Sequence, residues 1–360
     1  MKKIPIAKPL VGRHEIRAVK RVLKSGSLAQ GPEVARFEKE FSKFVMGREC
    51  VAVNSGTSAL QLALLSVGVE PGDEVIVPSF SFAATANSVA LVGAKPVFVD
   101  IDPLTFNIDP KKIESAISSR TRAIQVVHLY GLPANMPKIM EIAKQWNLLV
   151  IEDAAQAHLA SIDGKPVGTY GDAAAFSFYP TKNMTTGEGG MVVFSDSSFA
   201  RRSRLLRNQG MEKRYQNEIV GYNLRMTDIN AAIGLQQLKC VKSWTEKRIS
   251  NANLLSDRIA QAQTPLTPHG FHHVFHQYTV RIPKKRDFCA NYLDSVGVGN
   301  GVYYPTPIHM LPSFNLDLEL IETKLATEQV LSLPVHPSLS RKDLLRIANS
   351  VDHAIQLSHE

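Results

Sequence analysis

Two rhythms of apolar residues alternate over the first two-thirds of the chain. Short unbroken runs at Val51–Val53, Val75–Val77, Pro96–Val99, Ala123–Val127 and Leu148–Ile151 predict strands buried on both faces. The small-residue run Ala173–Ser177 predicts another. Between these runs the spacing turns helical. In Ser58–Val67, residues Leu60, Ala63, Leu64 and Val67 recur at i, i+3, i+4 and i+7, which predicts one buried helix face. Pro71-Gly72-Asp73 and Asp109-Pro110 mark turns or helix entries. Strands alternating with helices predict an α/β fold built on a mostly parallel sheet.

Past Lys247 the texture changes. A long helical segment runs from Ile229 to Ala260 with only Gly234 to interrupt it, followed by a strand-like His276–Ile282. Helical spacing returns at Asp287–Val296 and Arg341–Leu357. A chain of 360 residues exceeds one ordinary core. The expected division is a large domain over 1–247 and a smaller C-terminal α+β domain over 248–360.

Composition narrows the class without naming a function. Apolar content of 44% and charged content of 21% are those of ordinary globular chains. No apolar run reaches the roughly 18 residues that cross a bilayer. Met1–Val11 carries Lys2, Lys3, Pro5 and Pro9 instead of an apolar signal block. The cytoplasm is therefore the expected compartment, with no membrane partner. Cys50, Cys240 and Cys289 are odd in number and far apart, which argues against a disulfide framework or a clustered metal site. The net charge of +8 suits either nucleic acid or an anionic small substrate. The densest basic run, Arg201, Arg202, Arg204 and Arg207, is spread around a helix and lacks interleaved aromatics. It reads as solvated surface, so no nucleic-acid partner is expected.

Chemistry concentrates at strand ends, where ligands gather in open α/β sheets. Asn54-Ser55-Gly56-Thr57-Ser58 lies between a strand and a helix, as a phosphate cup does and as a simple helix cap does. Asp153 closes the run Leu149–Glu152; it could cap a loop or face a protonated ring nitrogen. Lys182 follows Ala173–Ser177 and precedes Gly187-Glu188-Gly189-Gly190. An exposed lysine is protonated at neutral pH, and it becomes a nucleophile only when its charged form is disfavoured.

Taken in order, Asn54–Leu60, Glu152-Asp153-Ala154-Ala155-Gln156-Ala157-His158, and Ser177-Phe178-Tyr179-Pro180-Thr181-Lys182-Asn183 with Gly187–Gly190 closely resemble the DegT/DnrJ/EryC1/StrS family. The resemblance runs from Pro5 to His336. It implies a fold type I transferase dependent on pyridoxal 5′-phosphate (PLP), converted to pyridoxamine phosphate between half-reactions. The implied reaction moves an amino group from L-glutamate to a keto sugar carried on a nucleoside diphosphate.

The resemblance also implies residue roles. Lys182 would attach PLP and later shuttle the proton between substrate carbon and cofactor. Asp153 would pair with the ring nitrogen and Gln156 with the phenolic oxygen. Gly56, Thr57 and Ser177 would hold the phosphate. Phe82 would stack on the ring, although without the resemblance it reads as a core phenylalanine. Asn223, in Gly221–Met226, would reach the cofactor phosphate of a neighbouring subunit, which implies a homodimer with shared sites. His309, in Tyr303–His309, would fall in a segment lining the sugar-nucleotide side. Leu159 departs from the glycine common after the Ala-His pair and would narrow the space beneath the ring. Ser58, where 3-keto enzymes often carry Asp, leans the reading toward a 4-keto sugar. The competing readings are a PLP enzyme acting on a non-sugar ketone, a dehydratase (in which a histidine replaces the lysine), and a regulatory nucleic-acid-binding protein.

Overall fold

The apolar runs assemble into one seven-stranded sheet in the computed structural model, which describes residues 3–359. Met1, Lys2 and Glu360, the outer ends of the two expected domains, lie outside the described residues. The strands are β1 (Glu49–Val53), β2 (Glu74–Pro78), β3 (Lys95–Val99), β4 (Thr121–Val127), β5 (Leu149–Asp153), β6 (Ala173–Ser177) and β7 (Gly190–Phe194). Their spatial order is β1-β7-β6-β5-β4-β2-β3. Neighbours run parallel except at β7, which is antiparallel to both β1 and β6. Every residue of β2, β6 and β7 is buried, as expected of a sheet covered on both faces.

The apolar pattern misses β7, because Gly187, Gly189 and Gly190 read as loop. Gly190 instead pairs with Val53 and Ser177, and a Cβ there would lie 2.3 Å from the Ser55 carbonyl oxygen. The helix Gly56–Ser66 buries Leu60, Ala63 and Leu64 as expected, with Val67 buried at its C-cap. It also buries Leu62 and Ala59, because it packs between the sheet and the helices Ala84–Leu91 and Ser197–Arg207.

The expected long helix over 229–260 is two helices, Asp228–Gln237 and Val241–Arg258. The break is not at Gly234. That glycine sits mid-helix because a Cβ would approach the Phe37 ring to 2.7 Å. The first helix ends where Lys239 N–H and Cys240 N–H fall back to the Gln236 and Gln237 carbonyls in tightened turns.

A second apolar cluster includes Ala252, Leu255, Tyr278, Val280, Leu293, Ile347 and Val351, together with Ile4 from the N-terminal end. At its centre β8 (Tyr278–Arg281) pairs antiparallel with β9 (Val330–Leu333), flanked by the helices Arg286–Ser295 and Arg341–His359. The strand is shorter than the expected 276–282. His276 and Gln277 leave it, next to Phe275 in the left-handed region at φ 43°.

The basic run lies on the helix Ser197–Arg207, but it is not simply solvated surface. Arg201 pairs with Glu212 and Glu218, and Arg204 with Glu49. Arg207 is buried, donating to Glu38 at 2.6 Å and to the Ala52 carbonyl at 2.7 Å. Among the described residues no helix is long and apolar enough to cross a membrane, and no three His, Cys, Asp or Glu side chains gather as metal ligands.

Candidate active site

Parallel strands deliver their carboxyl ends to one edge, and a cavity of about 300 Å³ opens there. Gly56, Thr57, Phe82, Asp153, Gln156, Ser177 and Lys182 all line it. β1 supplies Ser55, whose hydroxyl caps the next helix by accepting Ser58 N–H at 3.1 Å. The cap and the cup are therefore the same segment, with the helix N-terminus aimed at the cavity. Gly56 is required by contact: a Cβ would lie 2.8 Å from Ser177 Cβ at the end of β6. Ser58 lies behind this cup, its hydroxyl 2.9 Å from that of Ser55.

Asp153 and Glu152 close β5 on opposite faces. Glu152 is fully buried and accepts backbone N–H groups of Gly168, Tyr170 and Gly171 at 2.7–2.9 Å, plus His128 Nε2 at 3.0 Å. Those donors hold its carboxyl below the usual range against burial. Asp153 faces the cavity. Thr85 Oγ1 donates to one of its oxygens at 2.9 Å and Ala155 N–H to the other at 3.2 Å. Burial still raises its pKa, opposed by these two bonds and by Lys182.

Gln156, three residues on, is held at both ends of its amide. Its Oε1 accepts Tyr130 N–H at 2.7 Å, and its Nε2 donates to the Tyr304 hydroxyl at 2.8 Å. A backbone N–H can only donate, so the amide orientation is fixed. Lys182 follows the β6 end, its N–H bound to the Tyr179 carbonyl. Desolvation pulls its pKa down to about 8, with Asp153 opposing the shift. Its Nζ makes no hydrogen bond or ion pair among the described residues.

Phe82 is 62% exposed at the mouth of the cavity, which rules out the core reading. His309 is not brought to this cavity. It is 2% exposed, its Nδ1 lies 2.6 Å from the Ser79 hydroxyl, and its ring faces Phe98. Its segment reaches the cavity through Tyr303 and Tyr304 instead. The expected narrowing by Leu159 is not seen. Leu159 packs with the cluster around Phe41 and Phe176, away from the cavity. Its φ of 69° is the left-handed conformation that glycine adopts without cost. Asn223 lies outside the cavity on an exposed stretch bridged to Asn208.

Sequence reasoning missed His276, Gln277, Glu188, Tyr303 and Tyr304 on the lining. His276 keeps a neutral ring, because burial holds its pKa well down. Burial raises the pKa of Tyr304 instead, so its phenol stays protonated. The signal available was the polar pair His276-Gln277 at the head of an otherwise apolar strand.

Comparison with known proteins follows the same outline. GDP-perosamine synthase of Caulobacter vibrioides is 42% identical over 345 residues, spanning 90% of this chain and 91% of that protein. A pleiotropic regulatory protein of Geobacillus stearothermophilus is 41% identical over 337 residues, spanning 91% and 90%. The crystal structure of S. venezuelae DesV, in complex with a ketimine intermediate, superposes with a TM-score of 0.95 at 37% identity, covering 99% of each chain. The model of the DegT/DnrJ/EryC1/StrS aminotransferase family matches residues 9–352. Cavity, fold and sequence agree: the chain belongs to the DegT/DnrJ/EryC1/StrS aminotransferase family.

Proposed function

We propose that this chain is a PLP-dependent aminotransferase that moves an amino group from L-glutamate to a keto group of a nucleoside-diphosphate sugar. The observation that carries the reading is the convergence of Lys182, Asp153 and the Gly56–Ser177 contact on one cavity. These groups fit PLP. An amine with no protein partner and a pKa of about 8 suits a carbonyl. A buried carboxylate with no ion pair among the described residues suits a protonated ring nitrogen. A helix N-terminus whose first residue must be glycine suits a phosphate.

When bound, PLP supplies the electron sink that takes up an amino group and passes it on. The protein does the rest. Gly56 and Thr57 amides with the Ser177 hydroxyl hold the phosphate, and Phe82 covers one face of the ring. Asp153 keeps the ring nitrogen protonated, and Gln156, fixed by Tyr130 and Tyr304, presents its second amide hydrogen to the phenolic oxygen. Lys182 Nζ takes the proton from the substrate carbon and returns it in the reverse sense for the second substrate.

The homodimer belongs to this proposal. Among the described residues Lys182 is the one lysine or arginine on the lining of this cavity, which is too little for a phosphate, two glutamate carboxylates and a pyrophosphate. Val220, 92% exposed and three residues before the exposed Asn223, is an apolar side chain that a second copy bringing Asn223 to the neighbouring phosphate would cover. The proposed division is a PLP-binding domain over 1–247 and a small domain over 248–360. The proposed compartment is the cytoplasm, because both substrates are multiply charged and enter hydrocarbon at high cost. Ser58 favours a 4-keto sugar.

The test is incubation with glutamate and a panel of 3-keto and 4-keto sugar nucleotides, with mass detection of the aminated sugar. A 4-keto substrate is expected to be aminated fastest. Amination of a non-sugar ketone alone would overturn the substrate class.

A further inference from the structure

We propose that Thr85, backed by Ser81, is a positioning residue of the reaction, its hydroxyl holding Asp153 oriented and ionised toward the cofactor's ring nitrogen. The proposal rests on the reading of Asp153 given above and adds to it a two-hydroxyl relay.

The bond directions follow from what each group can donate. An ionised carboxylate only accepts, so the proton on the 2.9 Å line between Thr85 Oγ1 and Asp153 belongs to Thr85. Thr85 then has only lone pairs left. Ser81 Oγ, 2.9 Å from Thr85 Oγ1, must donate to it. The relay runs Ser81 to Thr85 to Asp153, and all three side chains are buried. Hydrogen bonds in such a chain polarise one another, and the low local dielectric strengthens each.

Thr85 is held by more than its own contact. It lies in the first turn of the helix Ala84–Leu91, and its carbonyl accepts Gln125 Nε2 from β4 at 2.6 Å and the Ser88 hydroxyl at 3.0 Å. The hydroxyl is therefore presented by sheet and helix together. This matters because little else supports the charge on Asp153. Burial favours its neutral form, and the other groups facing it are Ala155 N–H, Lys182 and His128. His128 is engaged elsewhere, its Nδ1 accepting Ala134 N–H and its Nε2 bonded to Glu152. Thr85 thus supplies the one side-chain hydrogen bond that Asp153 accepts among the described residues.

The test uses holoenzyme loaded with PLP carrying ¹⁵N in the ring, with the ring-nitrogen chemical shift read by NMR beside kcat and KM. Thr85→Val keeps the shape and removes the hydroxyl. It should move the ring nitrogen toward its unprotonated shift and lower kcat by roughly 10- to 100-fold, the worth of a bond to a charged group, with KM for glutamate nearly constant. Thr85→Ser should restore both, and Ser81→Ala should fall between. A wild-type shift and kcat in Thr85→Val would overturn the proposal. If Thr85→Val does not fold, a wild-type shift in Ser81→Ala overturns the relay instead. Asp153→Asn separates the two layers. A changed shift there with none in Thr85→Val sinks the relay alone, whereas no change in Asp153→Asn sinks the reading of Asp153 itself.

Discussion

Acidification should unfold this protein by a route that can be assigned to named side chains. His158 and His273 are buried, and desolvation pulls both pKa values down to about 3. Each has geometry that fits a neutral ring. His273 Nδ1 accepts Phe275 N–H at 3.2 Å, and the His158 ring packs against Phe176 and Phe178 with its one polar neighbour the Ser177 backbone among the described residues. In the unfolded chain these rings titrate near 6.5. Between 6.5 and 3 the unfolded state binds protons that the native state does not, so stability falls as pH drops below 6.5 and the loss levels off near 3. Integrated from pH 7 to about 4.5, each ring costs about 2.7 kcal/mol, or roughly 5 kcal/mol for the pair. His276 shifts in the same direction. That is a large fraction of the ~5–15 kcal/mol that holds a typical domain. The assay is urea unfolding at pH 7, 5.5 and 4.5 for wild type and His158→Phe, which removes one of the protonating sites among Phe176 and Phe178. The variant should lose about 1.4 kcal/mol less per pH unit between pH 6 and 4. Equal slopes in the two proteins would refute the assignment.

Two further outcomes follow from the cavity. With Lys182 at about 8, roughly a tenth of it is unprotonated at pH 7, against a few parts in ten thousand for an ordinary lysine. PLP uptake by apoenzyme should rise with pH and flatten a little above 8; a rate still climbing tenfold per unit past pH 9 would contradict the desolvated site. Gly56→Ala places a Cβ 2.8 Å from Ser177 Cβ, so the phosphate cup must open. PLP affinity, followed by fluorescence quenching, should weaken by about tenfold or more, and an unchanged Kd would show that Gly56 is not part of the cup.

Legibility in the sequence followed locality. β2 to β6 were readable because buried parallel strands are unbroken apolar runs. Asp153, Ser177 and Lys182 were placeable because each lies at or just past the end of such a run. β7 was not readable: its glycines announce a loop, but Gly190 is there because the Ser55 carbonyl leaves no room for a side chain. His276, Gln277, Tyr303 and Tyr304 come from segments more than a hundred residues past the cup, and only the docking of the C-terminal region onto the sheet edge brings them to the cavity. His309 sits apart from that cavity. Its neighbours in sequence reach the cavity, while its own ring turns inward to Ser79. The role of Thr85 was invisible for the same reason, since the helix Ala84–Leu91 meets Asp153 only after β2 and β5 take places in one sheet.

The central claim is that Lys182 carries PLP and serves amino transfer from glutamate to a keto sugar nucleotide. Its most direct test is the visible absorbance of the purified enzyme. The wild type should show the yellow band of lysine-linked PLP, lose it when glutamate is added, and regain it with a keto sugar nucleotide. A Lys182→Ala variant that keeps the same band, or a wild-type band indifferent to glutamate, would contradict the account.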